Sequence, residues 1–281
     1  MHRATRAILD RQWAELQRIQ RWLAPAPLPP ANSVTFNESI GWPQHPWTGR
    51  PTRLYPYQFD IIDAPERFIL VVKSRKIGIT ETIIRRAAYL ALSRYAGYQV
   101  LFVSQRKDHS TMTMSRLQAL LRDSPYEPLV DKATSDYLRL QNGCEIYSLP
   151  STAQSLRGFP RVKAVYLDEA AHFVRLHDET IYTALRPSLI NTQGDFVIVS
   201  TPRGQRGFFY QLSREDTFRK FVLSYHVAPG LIGPDRIAEE KRALGPFFAQ
   251  EYECAFLSGQ NAAIPPDLIE QSLDDYELDS E

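Results

Sequence analysis

The stretch FILVVKSRKIGITETIIRRAAYLALSRY, residues 68–95, decides the fold class of this chain. Its first five residues, Phe68–Val72, form a short and wholly apolar run, which is typical of a parallel strand buried on both faces. Thr80–Tyr95 is predicted to be a helix, and the basic turn Lys73–Ile79 connects strand and helix. A buried strand that passes directly into a helix predicts an α/β fold with a mainly parallel sheet.

The same alternation continues toward the C-terminus. Asn142-Gly143 lies between two short apolar segments and predicts a hairpin. In chain order we expect the strand Val100–Ser104, the helix Lys107–Leu121, the hairpin strands Tyr137–Leu140 and Glu145–Leu149, the strand Val162–Leu167, the helix Glu179–Leu189, the strands Phe196–Ser200 and Phe221–Tyr225, and helices near 234–244 and 247–255. The sheet should therefore be flanked by helices, with its chemistry at the carboxyl ends of the strands.

The residues before this unit have a different character. Residues 3–23 place apolar side chains near helical spacing and predict one amphipathic helix. Four prolines between residues 25 and 30 end that helix, and residues 31–55, which lack periodicity, are interpreted as an irregular arm. The tryptophans of this region either stack on nucleic acid or, as we prefer, pack the arm onto the domain: Trp13, Trp22, Trp42 and Trp47. We predict an arm over 1–55 and a domain over 56–256.

The net charge of +1 conceals a division at Arg242. Residues 1–242 hold all 33 basic side chains and 23 acidic ones, a net +10, and the remaining residues hold nine acids. A basic body is typical of a protein that binds a polyanion, although an ordinary solvated surface is an equal alternative. The acidic end is interpreted as a linker or tail. No apolar run reaches the roughly 18 residues that a membrane span requires, and two cysteines are too few to indicate a disulfide framework.

The first strand end, Lys73–Thr80, partly matches the phosphate-loop pattern G-x-x-x-x-G-K-[ST]. Gly78 and Thr80 fit it, whereas Lys73 replaces the first glycine and Ile79 replaces the lysine. Backbone N–H groups at a helix N-terminus still bind phosphate, and the ammonium must come from Lys73 or Lys76. The candidate nucleotide-binding residues are Lys73, Ser74, Arg75, Lys76, Ile77, Gly78, Ile79 and Thr80. Taken alone, a basic turn between strand and helix is more often a structural accident.

Two further strand ends carry polar residues. Asp168-Glu169 follows an apolar strand, where a pair of carboxylates is costly unless it is used, for example to hold Mg²⁺ and polarise water. A helix N-cap is the alternative. Ser200-Thr201-Pro202 offers hydroxyls to a γ-phosphate, or forms a simple turn. The neighbouring His172, His177 and Asp178 lack the spacing of a metal site, so we expect solvated or capping roles for them.

The segments KSRKIGIT (73–80), LRGFPRVKAVYLDEA (156–170) and VIVSTPRG (197–204) together resemble the ATPase domain of the large terminase subunit of tailed double-stranded DNA viruses. The resemblance spans roughly residues 54–256. It implies a P-loop NTPase of the additional-strand catalytic-glutamate (RecA-like) type with an N-terminal helical arm, which binds ATP and Mg²⁺ and moves double-stranded DNA into a procapsid.

The resemblance also implies residue roles. Lys73 would be the phosphate lysine of a variant loop, and Arg75 matches an arginine often found in that loop. Thr80 and Asp168 would hold Mg²⁺, Glu169 would activate water, and Thr201 would couple hydrolysis to movement. Gln58 would recognise adenine, or is simply a polar residue on a short helix. Arg157 would be an arginine finger for a neighbouring subunit's ATP, or else a surface phosphate contact or ion pair.

Partners and location follow from the same resemblance. We expect double-stranded DNA, a portal protein, a small terminase subunit, and a nuclease domain or subunit as partners. The chain should form a homo-oligomeric ring during packaging and be a monomer in isolation, in the host cytoplasm at the procapsid portal, without a membrane. Residues 257–281 would be an acidic linker toward a nuclease domain that this chain lacks, so nuclease activity is not expected.

Two other functions remain open. One is a helicase-like or remodelling ATPase on nucleic acid, against which the lack of a second recognisable ATPase lobe argues. The other is a nucleotide-binding or DNA-binding module that has lost hydrolysis, for which Ile79 in place of the usual lysine is the reason.

Overall fold

The computed structural model describes residues 12–13, 15–16, 19–20, 27–122, 124–151, 156, 158–173 and 178–258, apart from the side chains of 178–180. Its central element is an eight-stranded sheet with the order β3-β4-β5-β2-β6-β7-β1-β8. The strands are β1 Phe68–Lys73, β2 Gln99–Ser104, β3 Val130–Ala133, β4 Tyr137–Leu140, β5 Glu145–Pro150, β6 Val162–Asp168, β7 Asp195–Ser200 and β8 Arg219–Leu223.

Helices flank this sheet. Within the described residues beyond 27 they are α1 Ser33–Ile40, α2 Pro56–Asp63, α3 Ile79–Ser93, α4 Lys107–Arg122, α5 Asp178–Leu185, α6 Gly207–Arg214, α7 Pro234–Leu244 and α8 Phe247–Tyr252. Every predicted strand is present, but the strand predicted over Phe221–Tyr225 begins and ends two residues earlier, and β3 was not predicted. The predicted helix over 179–189 ends earlier, at Leu185, and continues as a 3-10 turn over Arg186–Leu189. Pro187 explains this, because it has no N–H to donate to the preceding helical turn.

The strand pairing confirms the mainly parallel sheet. β1, β2, β5, β6, β7 and β8 pair in parallel, and β3-β4 and β4-β5 pair antiparallel as an added edge. β7 lies between β1 and β6, with Val72 opposite Ser200 and Asp168 opposite Val199. The register therefore places the three predicted polar strand ends side by side.

The core has two halves, one on each face of the sheet. Because side chains alternate along a strand, Ile69 and Val71 of β1 pack under α1–α4, whereas Leu70 and Val72 pack under α5 and α6. These four side chains are at most 3% exposed. Burial on both faces is the reason why the strands contain uninterrupted apolar runs.

Two buried arginines of α3 attach the N-terminal helices to the domain. Arg86 Nη1 donates to the carbonyl oxygens of Ile61, Ile62 and Ala64 at 2.9, 2.7 and 3.1 Å, which satisfies acceptors at the C-terminus of α2. Arg85 Nη1 donates to Asn37 Oδ1 at 2.9 Å and so reaches α1. These bonds compensate much of the cost of burying the two guanidinium groups, although Arg86 Nε has no hydrogen-bond partner among the described residues.

The prediction that residues 31–55 are irregular is wrong. They contain α1, which begins at the N-cap Asn32: Asn32 Oδ1 accepts from the Thr35 backbone N–H at 2.9 Å, and Thr35 Oγ1 accepts from the Asn32 N–H at 3.3 Å. This reciprocal pair is a capping box, and it was a readable signal in the sequence. The fully buried Phe36 then anchors the helix between Tyr89 and Tyr126, with ring centroids 5.8 Å away in each case.

Several predictions fall outside the described residues. They include Arg157, His177, most of the helix predicted over 3–23, and the linker beyond residue 258. The described members of that helix are helical, and Trp13, Leu16 and Ile19 are exposed there. The domain boundaries at 55 and 256 stay predictions. No helix in the described part of the chain is long and apolar enough to cross a membrane.

Candidate functional site

The loop between β1 and α3 is shaped by a glycine. Gly78 lies at the N-cap of α3 with φ +79°, in the left-handed region where a Cβ is costly. A Cβ at this position would also lie 3.2 Å from Gln58 Nε2. The turn directs the N-terminus of α3, with Ile79 and Thr80 in its first turn, toward the carboxyl edge of the sheet. Backbone N–H groups there are suited to an anion.

Two contacts join this loop to the acidic pair at the end of β6. Lys73 Nζ donates to Glu169 Oε1 at 2.6 Å, and Thr80 Oγ1 donates to Asp168 Oδ2 at 2.9 Å. Lys73 is only 6% exposed, so its ammonium is withdrawn from solvent and compensated by the Glu169 carboxylate. Residues that are 88 and 96 positions apart in the chain are thus brought together by the strand order.

The carboxylates of Asp168 and Glu169 retain free acceptors. Asp168 Oδ1 and Glu169 Oε2 are buried and have no hydrogen-bond partner among the described residues. Burial and the neighbouring Glu169 raise the pKa of Asp168, despite Lys73 and Thr80. Burial would also raise the pKa of Glu169, but Lys73, His172 and the Thr201 N–H outweigh it and hold that pKa below its usual range. Glu169 is therefore ionised at neutral pH.

The third strand end closes the site from the side of β7. Ser200 Oγ accepts from the Ala171 N–H at 3.1 Å, and Thr201, which is 1% exposed, holds its Oγ1 2.8 Å from His172 Nε2. Burial lowers the pKa of His172, so this imidazole is neutral at neutral pH. Glu169 itself has φ +57°, a strained conformation for a residue with a side chain. The β6 and β7 loops are therefore connected through side chains.

Gln58 lies beneath the loop with both ends of its amide engaged. Its Oε1 accepts from the Tyr55 N–H at 3.0 Å, and its Nε2 donates to Thr82 Oγ1 at 2.8 Å. The adjacent Tyr57 donates to the Ile77 carbonyl oxygen at 2.6 Å. Gln58, which is 5% exposed, therefore supports the phosphate loop through its contacts with Tyr55 and with Thr82 of α3.

The remaining loop residues face in different directions. Arg75 forms an ion pair with Glu251 of α8, and its backbone N–H donates to the Glu251 carbonyl oxygen at 2.9 Å. Ser74 and Ile77 are buried, and the Ser74 N–H donates to the Leu223 carbonyl oxygen at 2.8 Å. Lys76 is exposed and has φ +61°. Of the two candidate lysines, Lys73 is the one that touches the acidic pair.

An open cleft of about 1330 Å³ contains these groups. Its lining includes the phosphate loop together with Glu169, His172 and Arg203, a group here named the phosphate end. Its lining also includes residues of the N-terminal arm, among them Trp47, whose Nε1 donates to the Leu231 carbonyl oxygen, and Leu231 and Ile232 themselves; this group is here named the arm end. In the described part of the chain no group of three or more His, Cys, Asp or Glu side chains is arranged to hold a metal ion.

Three contributions were missed by reasoning from the sequence. His172 was expected to be solvated or capping, yet it lies in the cleft against Thr201. Glu251 was grouped with the acidic end, but it pairs with Arg75, and its neighbour Gln250 accepts from the Gly204 N–H at 2.9 Å. The arm lines the cleft. No local signal marks these contacts, because each joins residues far apart in the sequence.

Known structures share this fold. The ATPase domain of the large terminase of Thermus phage P74-26 superposes with a TM-score of 0.60 at 20% identity, over 74% of this chain and 94% of that one. The large terminase of a thermophilic bacteriophage, solved in complex with ATP-gamma-S, gives 0.59 at 10% identity, over 73% of this chain and 53% of that one. At these identities the likeness establishes the fold, a RecA-like P-loop domain.

A match to a family model establishes the family, and a sequence relative agrees with it. The large terminase subunit of Escherichia phage T5 is 26% identical over 209 residues, covering 71% of this chain, which spans about half (47%) of that relative. The family model for the N-terminal part of the T4likevirus-type terminase large subunit matches residues 70–271. That match includes all three polar strand ends, so the chain belongs to the family of terminase large subunits.

Proposed function

We propose that this chain is an ATPase, the ATP-hydrolysing motor domain of viral genome packaging, which translocates double-stranded DNA into a procapsid. One observation carries the proposal: the register of β1, β7 and β6 places a lysine, a threonine and two carboxylates within 2.6 and 2.9 Å contacts at the N-terminus of α3. This set contains the positive charge, the metal ligands and the base that phosphoryl transfer to water requires.

The phosphate groups of ATP would bind along Ser74–Thr80, with the Lys73 ammonium at the β- and γ-phosphates. Lys73 has only one described partner, Glu169 Oε1, which incoming phosphate oxygens would replace. Binding would then release the Glu169 carboxylate toward the γ-phosphate. There it would accept a proton from the attacking water as a general base, because losing the Lys73 contact removes the main group that holds its pKa below the usual range.

The residues present also fit a Mg²⁺ ion. Thr80 Oγ1 and Asp168 supply hard oxygen ligands, and the unpartnered, buried Asp168 Oδ1 is an acceptor that a cation would satisfy. These two residues would hold the ion. When bound, Mg²⁺ would supply positive charge that offsets the negative charge developing on the phosphate oxygens.

The mechanical part of the proposal rests on the β7 loop. Thr201 contacts His172, Gly204 donates to Gln250, and Gln250 lies next to Glu251, the partner of Arg75. A change at the γ-phosphate would therefore reach α8 through the β7 loop, where Gly204 binds Gln250, and through the phosphate loop, where Arg75 binds Glu251.

The proposal also includes the partners of the motor. They are double-stranded DNA, the portal protein, the small terminase subunit, and a nuclease domain or subunit. The chain would act as a homo-oligomeric ring at the procapsid in the host cytoplasm. The basic body of the chain supports the DNA partner.

The decisive experiment is steady-state ATP hydrolysis by Glu169→Gln. Removing the general base should lower kcat by about 10²–10⁴-fold while ATP binding is retained. Glu66→Gln, which removes a carboxylate from a surface ion pair with Arg219, is the matched control and should hydrolyse ATP at the wild-type rate.

Equal rates for Glu169→Gln and wild type would refute the assignment. ATP binding by a wild type that never hydrolyses it, even at high protein concentration with DNA, would instead favour a nucleotide-binding module. DNA binding should weaken steeply as the salt concentration rises, because phosphate contacts release counterions.

A further inference from the structure

The phosphate loop contains a second ion pair besides that of Lys73. Arg75 Nε donates to Glu251 Oε2 of α8, and the Arg75 backbone N–H donates to the Glu251 carbonyl oxygen at 2.9 Å. The side chain and the main chain of one loop residue are thus both bound by one residue of α8. The guanidinium of Arg75 is therefore occupied by a carboxylate.

The two members of this pair differ in exposure. The Arg75 side chain is 54% exposed and lines the cleft that also contains Lys73 and Thr80, whereas the Glu251 side chain is 14% exposed. Burial lowers the pKa of Arg75, but the Glu251 and Glu169 carboxylates outweigh it and hold that pKa above its usual range. The guanidinium therefore lies in the field of both carboxylates, at the wall of the cleft where it can turn toward another anion.

The segment that contains Glu251 has further attachments. Residues 250–257, here named the strap, include the end of α8 and are bound to the β7 loop. The Gly204 N–H donates to Gln250 Oε1 at 2.9 Å, and the Gln205 N–H donates to the Leu257 carbonyl oxygen at 3.1 Å. Neither bond involves the ion pair, so the strap should keep its place when the pair is broken.

Phosphate and the Glu251 carboxylate offer the same kind of acceptor to Arg75. Both present anionic oxygens, which a guanidinium binds through charge-assisted hydrogen bonds. Phosphates bound along Ser74–Thr80 would lie next to Arg75, because it belongs to that loop. A guanidinium that is held by Glu251 cannot bind them as well, so the free energy of the pair is subtracted from that of phosphate binding.

We propose that Glu251 sets the affinity for the nucleotide by competing with its phosphates for Arg75, which rests on the proposed function. The guanidinium binds either Glu251, as in this structure, or the phosphates. Glu251 is therefore a positioning residue that acts through Arg75. Transfer of the guanidinium would remove the side-chain contact between the phosphate loop and α8, while Gly204 and Gln205 retain the strap on the β7 loop.

The test measures equilibrium binding of ATP and of inorganic tripolyphosphate in the presence of Mg²⁺. Glu251→Gln should bind both ligands about 3- to 10-fold more tightly than wild type, because it removes the competing charge and keeps the backbone bond to Arg75. A loss of charge that merely damaged the structure would weaken binding instead. Unchanged or weaker binding, or a gain for ATP alone, overturns the proposal, since the competition is for phosphates.

Two further variants show whether the effect acts through Arg75. Glu251→Asp keeps the charge but has a shorter side chain, so it should tighten binding by a smaller factor. In an Arg75→Ala background, Glu251→Gln should change either affinity by less than about 2-fold, because no guanidinium remains to be released and salt screens the remaining charges. Equal gains in both backgrounds would mean that the carboxylate repels phosphate directly, which overturns the proposal.

Glu253→Gln is the matched control, because Glu253 lies two residues further along the chain, is exposed and does not line the cleft. It should change neither affinity. A wild type that binds neither ligand would refute the proposed function itself, so the two failures are distinguishable. Thermal unfolding of each variant confirms that it is folded.

Discussion

The two ends of the cleft are built in different ways. At the phosphate end, the buried Lys73 contacts the half-buried Glu169, and Thr80 in the first turn of α3 contacts the half-buried Asp168; Lys73, Asp168 and Glu169 lie at strand ends. At the arm end, aromatic and aliphatic side chains such as Trp47 lie on loops and are tied to backbone carbonyls by single hydrogen bonds. The first end is specified by sheet register, and the second by docking of segments about 180 residues apart.

This difference predicts which end of the cleft tolerates amino-acid substitutions. A buried ion pair that loses one member leaves an uncompensated charge, which is costly. A half-exposed hydrogen bond that is lost is replaced by water at little cost. Substitutions at the phosphate end should therefore have large effects, and substitutions at the arm end should have small and selective ones. The following predictions test this contrast, beginning with the largest effect.

Two lysines of one loop should differ strongly. Lys73→Ala should weaken ATP binding by roughly 30- to 150-fold, because it removes a charge-assisted contact worth about 2–3 kcal/mol and leaves Glu169 without its partner. Lys76→Ala, which removes the same charge from an exposed position three residues later, should weaken it by less than about 5-fold. Equilibrium binding of ATP to both variants measures the difference, and equal losses would contradict the assignment of Lys73 to the phosphates.

Two glycines with similar positive φ angles should differ next. Gly78→Ala should lower the free energy of unfolding by about 2 kcal/mol, because φ +79° disfavours a Cβ and Gln58 Nε2 lies 3.2 Å from it. Gly97→Ala, with φ +73° and no atom within 4 Å, should lower it by only about 1 kcal/mol. Denaturant unfolding of both variants gives the two values. A larger loss of unfolding free energy for Gly97→Ala than for Gly78→Ala would show that the close approach of Gln58 is not the reason why position 78 requires glycine.

Two tyrosines whose rings are stacked, Tyr55 and Tyr57, connect the two ends and should show the smallest effects. Tyr57→Phe should cost about 1.5 kcal/mol, because the Ile77 carbonyl oxygen loses its buried donor at the phosphate end. Tyr55→Phe should cost about 0.5 kcal/mol, because the Pro229 carbonyl oxygen is exposed and water replaces the lost donor at the arm end. Both variants retain the ring stack, so a larger cost for Tyr55→Phe in denaturant unfolding would break the contrast between the two ends.

Much of the phosphate end could be predicted, because each of its elements is local. A short apolar run indicates each buried strand, and the residues that follow it must lie at the carboxyl edge of the sheet. The arm end could not be predicted in this way. The helix α1 had a readable signal in the capping box of Asn32 and Thr35, but nothing near Trp47 or His45 indicates that residues 229–232 are their partners.

The sequence by itself determined the α/β fold, the order of its strands along the chain and the three polar strand ends at Lys73, Asp168-Glu169 and Ser200-Thr201. Periodicity and residue type are enough for these, because they depend on neighbours within a few positions. Only the tertiary structure decided that β7 lies between β1 and β6 and that Lys73 contacts Glu169. It also decided that the Gln58 amide binds Tyr55 and Thr82, and that residues of the N-terminal arm line the cleft. These depend on strand order and loop docking, which bring together residues whose sequence separation gives no local signal.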